Sequence, residues 1–230
     1  MHLKLEVLPD AGAVARRGAA LIASDARAAA AARGVFTLAV SGGRTPWAML
    51  AALASEDVPW ARVQLFQVDE RVAPAGDPDR NWTQLAASLL ERVALAPEQL
   101  HPMPVEEPEL AAAARRYATT LRSVAGSPAV LDLVHLGLGP DGHTASLVPG
   151  DPALAVADAD VALAGPYQGR RRMTLTYAAL DRARRVLWLV TGADKREMLA
   201  RLLRGDRSIP AGRVRADAAI AIADRAAAGS

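Results

Sequence analysis

The chain has 230 residues, of which 51% are hydrophobic and only 4% aromatic, so we expect one sizeable core built mainly from aliphatic side chains. It contains no cysteine, which excludes disulfides, thiolate nucleophiles and thiolate metal sites. Its net charge is +2, and its arginines are interspersed with acids and accompanied by almost no aromatics; this pattern disfavours nucleic-acid binding but allows a local site for a small anion.

No apolar run approaches the ~20 residues of a membrane span, and the first residues lack the basic and apolar segments of a secretory signal. We therefore expect no membrane partner and a cytoplasmic location. The length predicts a single domain over residues 1–230. Nothing in the sequence fixes the oligomeric state, for which our expectation is a monomer or a weak dimer.

The first predicted elements are a strand, a helix and a second strand. Alternating apolar and charged residues predict a strand over 3–8, and the helix that follows starts at Pro9-Asp10 and ends near Arg33, before Gly34. Residues 35–40 form a buried strand. After it, Thr45 is the predicted N-cap of a helix with Pro46 at its first position.

Strands and helices continue to alternate to the end of the chain. The remaining predicted strands are 63–68, 130–136, 161–164, 172–177, 186–190 and 218–222; the remaining helices are 81–93, with Asn81 as N-cap, 109–125, and one from about 195 to 204. This alternation predicts an α/β fold: a doubly wound, mostly parallel sheet with helices on both faces, similar to a Rossmann fold.

The segment 41–46 joins a buried strand to the start of a helix through Gly42 and Gly43. Such a turn directs free backbone N–H groups and the positive end of the helix dipole at a ligand, and phosphate is the natural occupant. Arg44 and Thr45 flank the glycines and favour this reading over a plain tight turn. The spacing is not that of a P-loop.

Charged residues follow other predicted strands. Asp69-Glu70-Arg71 suits a site that holds hydroxyl groups and an anion, although a self-paired solvated cluster is an equal alternative. Lys195 is one of only two lysines and suits a phosphate oxygen as a point charge. Arg172 leads directly into a strand, so its side chain is a candidate to point inward.

His143 is the histidine whose setting suits a general base. It follows the strand 130–136 and the glycines Gly137 and Gly139, which allow close approach of backbone to a ligand. The carboxyl ends of strands are where open α/β sheets bind ligands. Asp141, two residues earlier, is placed to orient the imidazole. His135, within the strand, is expected to belong to the core.

Two other readings of this segment are weaker. Residues 137–142 match G-x-G-x-x-G, but that fingerprint needs a full helix opening at its third glycine, and Pro149-Gly150 interrupts the chain soon after. Asp69, Asp141 and His143 could in principle bind a metal, although two carboxylates and one imidazole from separate loops are weak support.

Taken together, the segments resemble the 6-phosphogluconolactonases, which share a superfamily with glucosamine-6-phosphate deaminases. The resemblance covers about residues 35–222, and its most specific part is the run 136–149, which contains Asp141-Gly142-His143. The other matching segments, in the order of the family, are 41–46, 69–74, 79–81, 172–176 and 192–195.

The resemblance implies a doubly wound fold, no nucleotide cofactor, no catalytic metal, and hydrolysis of a phosphorylated sugar lactone, 6-phospho-D-glucono-1,5-lactone. It implies that His143 is the general base and that Asp141 supports its imidazolium. The residues that it implies for substrate binding are Gly42, Gly43, Arg44, Thr45, Asp69, Arg71, Asn81, Gly139, Arg172 and Lys195. The role of Glu70 stays open.

Two alternatives remain. Deaminases of this superfamily typically carry Asn-Glu-Pro where this chain has Leu147-Val148-Pro149, and a Tyr at the position of Arg71; both differences favour the lactonase. A non-catalytic sugar-phosphate sensor with the same fold is the second alternative. Such sensors usually accompany a helix-turn-helix, for which the segment before the first strands is too short.

Overall fold

The computed structural model of the protein describes residues 3–215 and 218–229. Its strands are β1 (Lys4–Leu8), β2 (Phe36–Val40), β3 (Val63–Gln67), β4 (Asp69–Arg71), β5 (Leu100–His101), β6 (Leu133–Leu136), β7 (Val161–Tyr167), β8 (Arg170–Leu175), β9 (Val186–Val190) and β10 (Ala219–Asp224). Its helices are α1 (Ala11–Arg33), α2 (Arg44–Leu53), α3 (Asn81–Ser88), α4 (Leu110–Ala125), α5 (Tyr177–Leu180), α6 (Arg196–Leu203) and α7 (Arg225–Ala228). Of these helices, none has the length and apolar character needed to cross a membrane.

The main sheet is parallel, in the order β1-β10-β9-β6-β2-β3-β5. From β2 the chain proceeds through β3 towards β5, whereas from β6 it proceeds through β9 towards β10. The order therefore reverses between the neighbouring strands β2 and β6. In open α/β sheets, ligands bind beyond the carboxyl ends of strands at such a reversal.

Each face of this sheet carries its own hydrophobic core. On one face, Leu38 and Val40 of β2 pack with buried residues of α1, α2 and α3. On the other face, Ala39 packs with residues of α4, α6 and a second sheet. Successive residues of β2 thus point to opposite faces, and both are buried. The predicted doubly wound α/β fold is confirmed.

The first helix begins and ends where the sequence predicts. The Asp10 side chain accepts a hydrogen bond from the backbone N–H of Ala13 at 2.8 Å and caps α1. Gly34 ends the helix with φ of 75°, a left-handed conformation that glycine adopts without steric cost.

A second, antiparallel sheet in the order β4-β8-β7 is not predicted from the sequence. Asp69–Arg71 form a strand of their own, which pairs with β8 so that Asp69 lies opposite Thr174 and Arg71 opposite Arg172. The strand β7 extends to Tyr167 and not only to residue 164. This small sheet brings two predicted site residues, Asp69 and Arg172, onto neighbouring strands.

Two predicted helix caps are wrong. The N-cap of α2 is Gly43, so Thr45 lies inside the helix, and its hydroxyl contacts that of Thr191 at 2.6 Å. The N-cap of α3 is Arg80, and Asn81 is the first helical residue. This helix ends at Ser88 and not at residue 93, and a 3₁₀ turn over Leu90–Arg92 follows it.

Candidate active site

Two glycine-containing loops meet at the reversal of the main sheet. One follows β2 and leads into α2; the other follows β6 and carries His143. The Ser41 hydroxyl donates a hydrogen bond to the carbonyl oxygen of His135 at 3.0 Å, which joins the ends of the two strands. The predicted phosphate loop and the loop that carries the predicted base therefore start next to each other at this edge of the sheet.

The start of α2 is open for a ligand. Gly43 has φ of 125°, and no side chain caps the helix. The loop and the first turn border a cavity of about 560 Å³, which Gly42, Gly43, Arg44, Thr45 and Lys195 line together. Free N–H groups and the helix dipole make this end of the cavity suitable for an anion.

Lys195 supplies a cationic side chain to the same cavity. It ends a 3₁₀ turn over Ala193–Lys195 that precedes α6, and its Nζ lies 3.3 Å from a carboxylate oxygen of the exposed Asp194. The end of β10 anchors this turn, because the backbone N–H of Gly192 donates to both carboxylate oxygens of buried Asp224 at 3.1 Å. The structure therefore brings together the two sequence segments predicted to hold a phosphate.

His143 and Asp141 form a close pair. Nδ1 of His143 lies 2.5 Å from Oδ1 of Asp141, which also accepts the backbone N–H of His143 at 3.1 Å. Burial raises the pKa of Asp141, but the hydrogen bonds and the charge of His143 outweigh it, so this pKa is lowered overall. Because an ionised carboxylate only accepts, Nδ1 carries the shared proton, and Nε2 remains as the acceptor.

Gly139 is needed for the position of the imidazole. The backbone N–H of Gly139 donates to the carbonyl oxygen of His143 at 2.8 Å, which closes the loop. The ring lies directly against the α-carbon: a Cβ at residue 139 would stand 2.1 Å from Nδ1. His143 does not line the cavity at α2 itself; Leu138, which does, immediately precedes Gly139.

Asp69 is the centre of a buried polar cluster beside these loops. Its Oδ2 accepts a hydrogen bond from the Ser146 hydroxyl at 2.7 Å and lies 4.0 Å from a terminal nitrogen of Arg172. Its backbone carbonyl accepts from the side-chain amide of Asn81 at 2.9 Å. Asn81 in turn lies against Gly42, where a Cβ would stand 1.8 Å from Oδ1. The cluster thus links the predicted phosphate loop to the loop that carries His143.

Three polar atoms around this cluster are buried without a hydrogen-bond partner among the described residues: Nε of Arg71, Oδ1 of Asn81 and Nε of Arg172. Buried polar groups are normally paired, so such a concentration indicates a place where a ligand or water completes the bonding. Burial lowers the pKa of Arg172 while the Asp69 carboxylate raises it. The guanidinium stays charged, because arginine does not deprotonate in proteins.

Glu70, whose role the sequence leaves open, supports the site from beneath. It is fully buried, and its carboxylate accepts the backbone N–H groups of Asn81 and Trp82 at 2.8 Å each, as well as that of Arg71 at 2.7 Å. Arg80 lies 3.2 Å away. The Glu70 carboxylate therefore satisfies the first N–H groups of α3. The sequence predicts this capping role for Asn81.

The arginines predicted to bind phosphate differ in position. Arg44 lines the cavity at α2, whereas Arg71 and Arg172 are not among its lining residues. The Arg71 guanidinium donates to the backbone carbonyl of Asp79. Arg172 is a buried residue of β8, and its guanidinium donates to the backbone carbonyl of Tyr167 at the end of β7 at 3.3 Å.

Ser146 and Tyr167 belong to the site but are not predicted from the sequence. Ser146 holds Asp69 across 77 positions in the chain, and the phenol of Tyr167 donates to Asp141 at 3.3 Å across 26. No local pattern marks either residue. A polar side chain next to the His143 motif was the only available signal for Ser146.

The alternative readings of the motif do not fit the geometry. No helix opens at Gly142; residues 143–151 contain turns and one isolated bridge between Thr144 and Leu147, so the segment lacks the helix that the dinucleotide fingerprint needs. Within residues 3–215 and 218–229, no three carboxylate or histidine side chains gather as potential metal ligands, so Asp69, Asp141 and His143 are not brought together in that way.

Comparison with known proteins agrees with this architecture. The family described as glucosamine-6-phosphate isomerases/6-phosphogluconolactonase matches residues 9–222. The chain belongs to this family. Among curated relatives of the family, a 6-phosphogluconolactonase from a Nostoc species is 36% identical over 206 residues, which cover 88% of this chain and 85% of the relative.

Solved structures of the family share the fold. The 6-phosphogluconolactonase of Thermotoga maritima has a TM-score of 0.87 at 27% identity and covers 96% of this chain and 99% of its own. A monomeric glucosamine-6-phosphate deaminase has a TM-score of 0.86 at 18% identity, with 99% of both chains covered. Because both branches of the family superpose equally well, the fold alone does not separate a lactonase from a deaminase.

Proposed function

We propose that the protein hydrolyses 6-phospho-D-glucono-1,5-lactone to 6-phospho-D-gluconate, the lactone-opening step of the oxidative pentose phosphate pathway. It is thus a carboxylic-ester hydrolase. The observation that carries the proposal is the His143–Asp141 pair at 2.5 Å, on the loop beside an uncapped helix start and Lys195. The family membership and the lactonases among the relatives support the same reaction.

In the proposed mechanism, Nε2 of His143 removes a proton from a water molecule as its oxygen attacks the lactone carbonyl carbon. The new C–O bond gives a tetrahedral intermediate, whose collapse breaks the bond to the ring oxygen. His143 then returns the proton to that oxygen, so the base is regenerated. Asp141 holds the Nδ1–H tautomer throughout and stabilises the imidazolium.

One positioned base supplies a substantial part of the rate enhancement for this chemistry. A general base typically contributes 10²–10⁴-fold, which is about 3–5 kcal/mol of the barrier. The remaining requirement is orientation, which binding of a remote phosphate supplies. We assign the phosphate to the Gly42–Thr45 amides and Lys195, with Arg44 as a further cation at the same cavity. We assign Asp69, Arg71, Asn81, Gly139 and Arg172, which lie outside its phosphate end, to the sugar site.

The deaminase alternative lacks support at one position. The Glu of the deaminase motif would stand at Val148, next to the fully buried Leu147, so the chain offers no carboxylate there to assist His143. We also propose that the protein acts in the cytoplasm, as a monomer or weak dimer, on a small phosphorylated lactone and without nucleic acid.

The test is to mix the purified protein with freshly made lactone and to follow acid release above the spontaneous rate. Glucosamine 6-phosphate is offered in parallel, with ammonia release as the readout, and calorimetry records binding of each sugar phosphate. We expect acid release and no ammonia. Ammonia release would identify a deaminase, and saturable binding without either product would identify a sensor; both results would overturn the proposal.

A further inference from the structure

Tyr167 lies at the end of β7 and contacts three residues assigned to the site. Its hydroxyl is 3.3 Å from Oδ2 of Asp141, and its ring centre is 5.1 Å from that of His143 at 64°, an edge-to-face arrangement. The Arg172 guanidinium carbon lies 5.1 Å from the centre of the same ring. One side chain thus contacts the predicted base, its carboxylate and a buried cation.

A tight hairpin fixes Tyr167 in this place. Tyr167 pairs with Arg170 across the turn between β7 and β8, and Gln168 and Gly169 both have positive φ, 53° and 77°. Two consecutive residues with positive φ are the signature of the type I′ turn, which matches the twist of paired strands. The Gln168 side chain is also within 3.4 Å of Arg172.

We propose that Tyr167 is a positioning residue for the general base. Its hydroxyl holds the carboxylate oxygen of Asp141 that His143 does not use, and its ring edge restricts rotation of the imidazole. The ring face holds Arg172 on the other side, so the same side chain connects base and cation. The inference rests on the proposed function, because it assumes that His143 is the base.

The charges around the phenol favour this role. Burial, followed by the charge of Asp141 and the hydrogen bond to it, raises the pKa of Tyr167, so the hydroxyl keeps its proton and donates. Asp141 and His143 face it from the loop after β6, and Arg172 faces it from β8. Asp69 and Arg71, on β4, act on Arg172.

The substitution Tyr167→Phe tests the hydroxyl alone. Without this donor, the Asp141 carboxylate interacts more strongly with the imidazolium, so the acid limb of kcat/KM moves to higher pH, by about 0.3–0.5 units. We expect KM to stay unchanged, because the ring remains against Arg172. Tyr177→Phe is the matched control: its hydroxyl donates to the carbonyl of Pro210 at 2.9 Å, away from the base, and the limb should not move.

Tyr167→Ala removes the ring as well. We expect kcat to fall about tenfold, since the imidazole is no longer held, and KM to rise, since Arg172 loses its aromatic face. A chemical-shift titration of the His143 ring gives a readout that needs no turnover, so it still tests Tyr167 if the protein proves not to be a lactonase. A Tyr167→Phe titration superimposable on that of the unmodified protein, with kcat of Tyr167→Ala within twofold, would overturn the proposal.

Discussion

The imidazole of His143 rests directly on the α-carbon of Gly139, and a methyl group there would stand 2.1 Å from Nδ1. Gly139→Ala should therefore displace the ring from Asp141. We expect turnover of the lactone to fall at least about tenfold, because a positioned base contributes 10²–10⁴-fold when correctly placed. Steady-state kinetics on the purified variant measures the loss.

Gly137→Ala is the control for this steric argument. A Cβ at Gly137 has no atom within 4 Å, so the same added methyl should leave the thermal stability and the His143–Asp141 pair intact. The His143 ring resonances should shift in Gly139→Ala and not in Gly137→Ala. Equal shifts in both variants would show that the ring does not depend on contact with residue 139.

The carboxylate of Glu70 is predicted to stabilise the fold and not to take part in the chemistry. Glu70→Gln keeps the shape of the side chain but removes a charge that accepts three backbone N–H groups and faces Arg80. We expect the free energy of unfolding to fall by about 2 kcal/mol or more. Urea denaturation followed by circular dichroism gives the value.

Glu106→Gln separates burial from charge, because Glu106 pairs with the same Arg80 at 2.6 Å but its side chain is 50% exposed. Removing the charge of Glu106 should lower the free energy of unfolding by less than about 1 kcal/mol. If the two glutamates gave equal losses, the buried position of Glu70 at the start of α3 would not be the cause of its effect.

His135 is predicted to make the protein sensitive to acid. It is fully buried, and burial lowers its pKa to about 3. Between that value and about 6.5 the unfolded chain binds a proton that the folded protein does not, so the free energy of unfolding falls as pH falls, by about 1.4 kcal/mol per unit from this group. Above pH about 6.5, the contribution of His135 to the free energy of unfolding no longer changes with pH.

His135→Leu should remove that slope. Both ring nitrogens lack a hydrogen-bond partner among the described residues, so an apolar side chain loses no bond there. Denaturation curves from pH 4 to about 7 would show a flatter dependence for the variant. An unchanged slope would mean that other groups, and not His135, cause the loss of stability in acid.

Lys195 is predicted to recognise the phosphate. Lys195→Gln should raise KM for the phosphorylated lactone about tenfold, or about 1.4 kcal/mol of binding, and should leave hydrolysis of unphosphorylated gluconolactone unaffected. Lys4→Gln, at the exposed start of β1, is the matched control, since Lys4 is the other lysine of the chain. A rise in KM for both lactones would place Lys195 at the sugar and not at its phosphate.

Much of this arrangement could be predicted from local patterns. The apolar strand before Gly137 and the glycines after Val40 mark strand ends, and a parallel sheet brings strand ends to one edge. Gly42 and His143 each follow such a strand, so this pattern predicts that both lie at the same edge of the sheet. The sequence also assigns His135 to the core, because an imidazole inside an apolar strand has no open side.

The errors arise where distant residues act. Thr45 and Asn81 are good capping residues by type, but the positive φ that Gly43 adopts starts α2 earlier, and the Glu70 carboxylate replaces a cap on α3. The strand β4 has three residues, too few for a periodic signal. Tyr167 meets Asp141 only because a hairpin returns it to the loop after β6.

The most direct test of the account is turnover of fresh 6-phosphogluconolactone by His143→Asn, corrected for spontaneous hydrolysis. The amide keeps a polar side chain at the site but cannot accept a proton from water, so turnover should fall at least about a hundredfold. Affinity for 6-phosphogluconate should be largely retained. Turnover within a few-fold of the unmodified protein would contradict the assignment of His143 as the base.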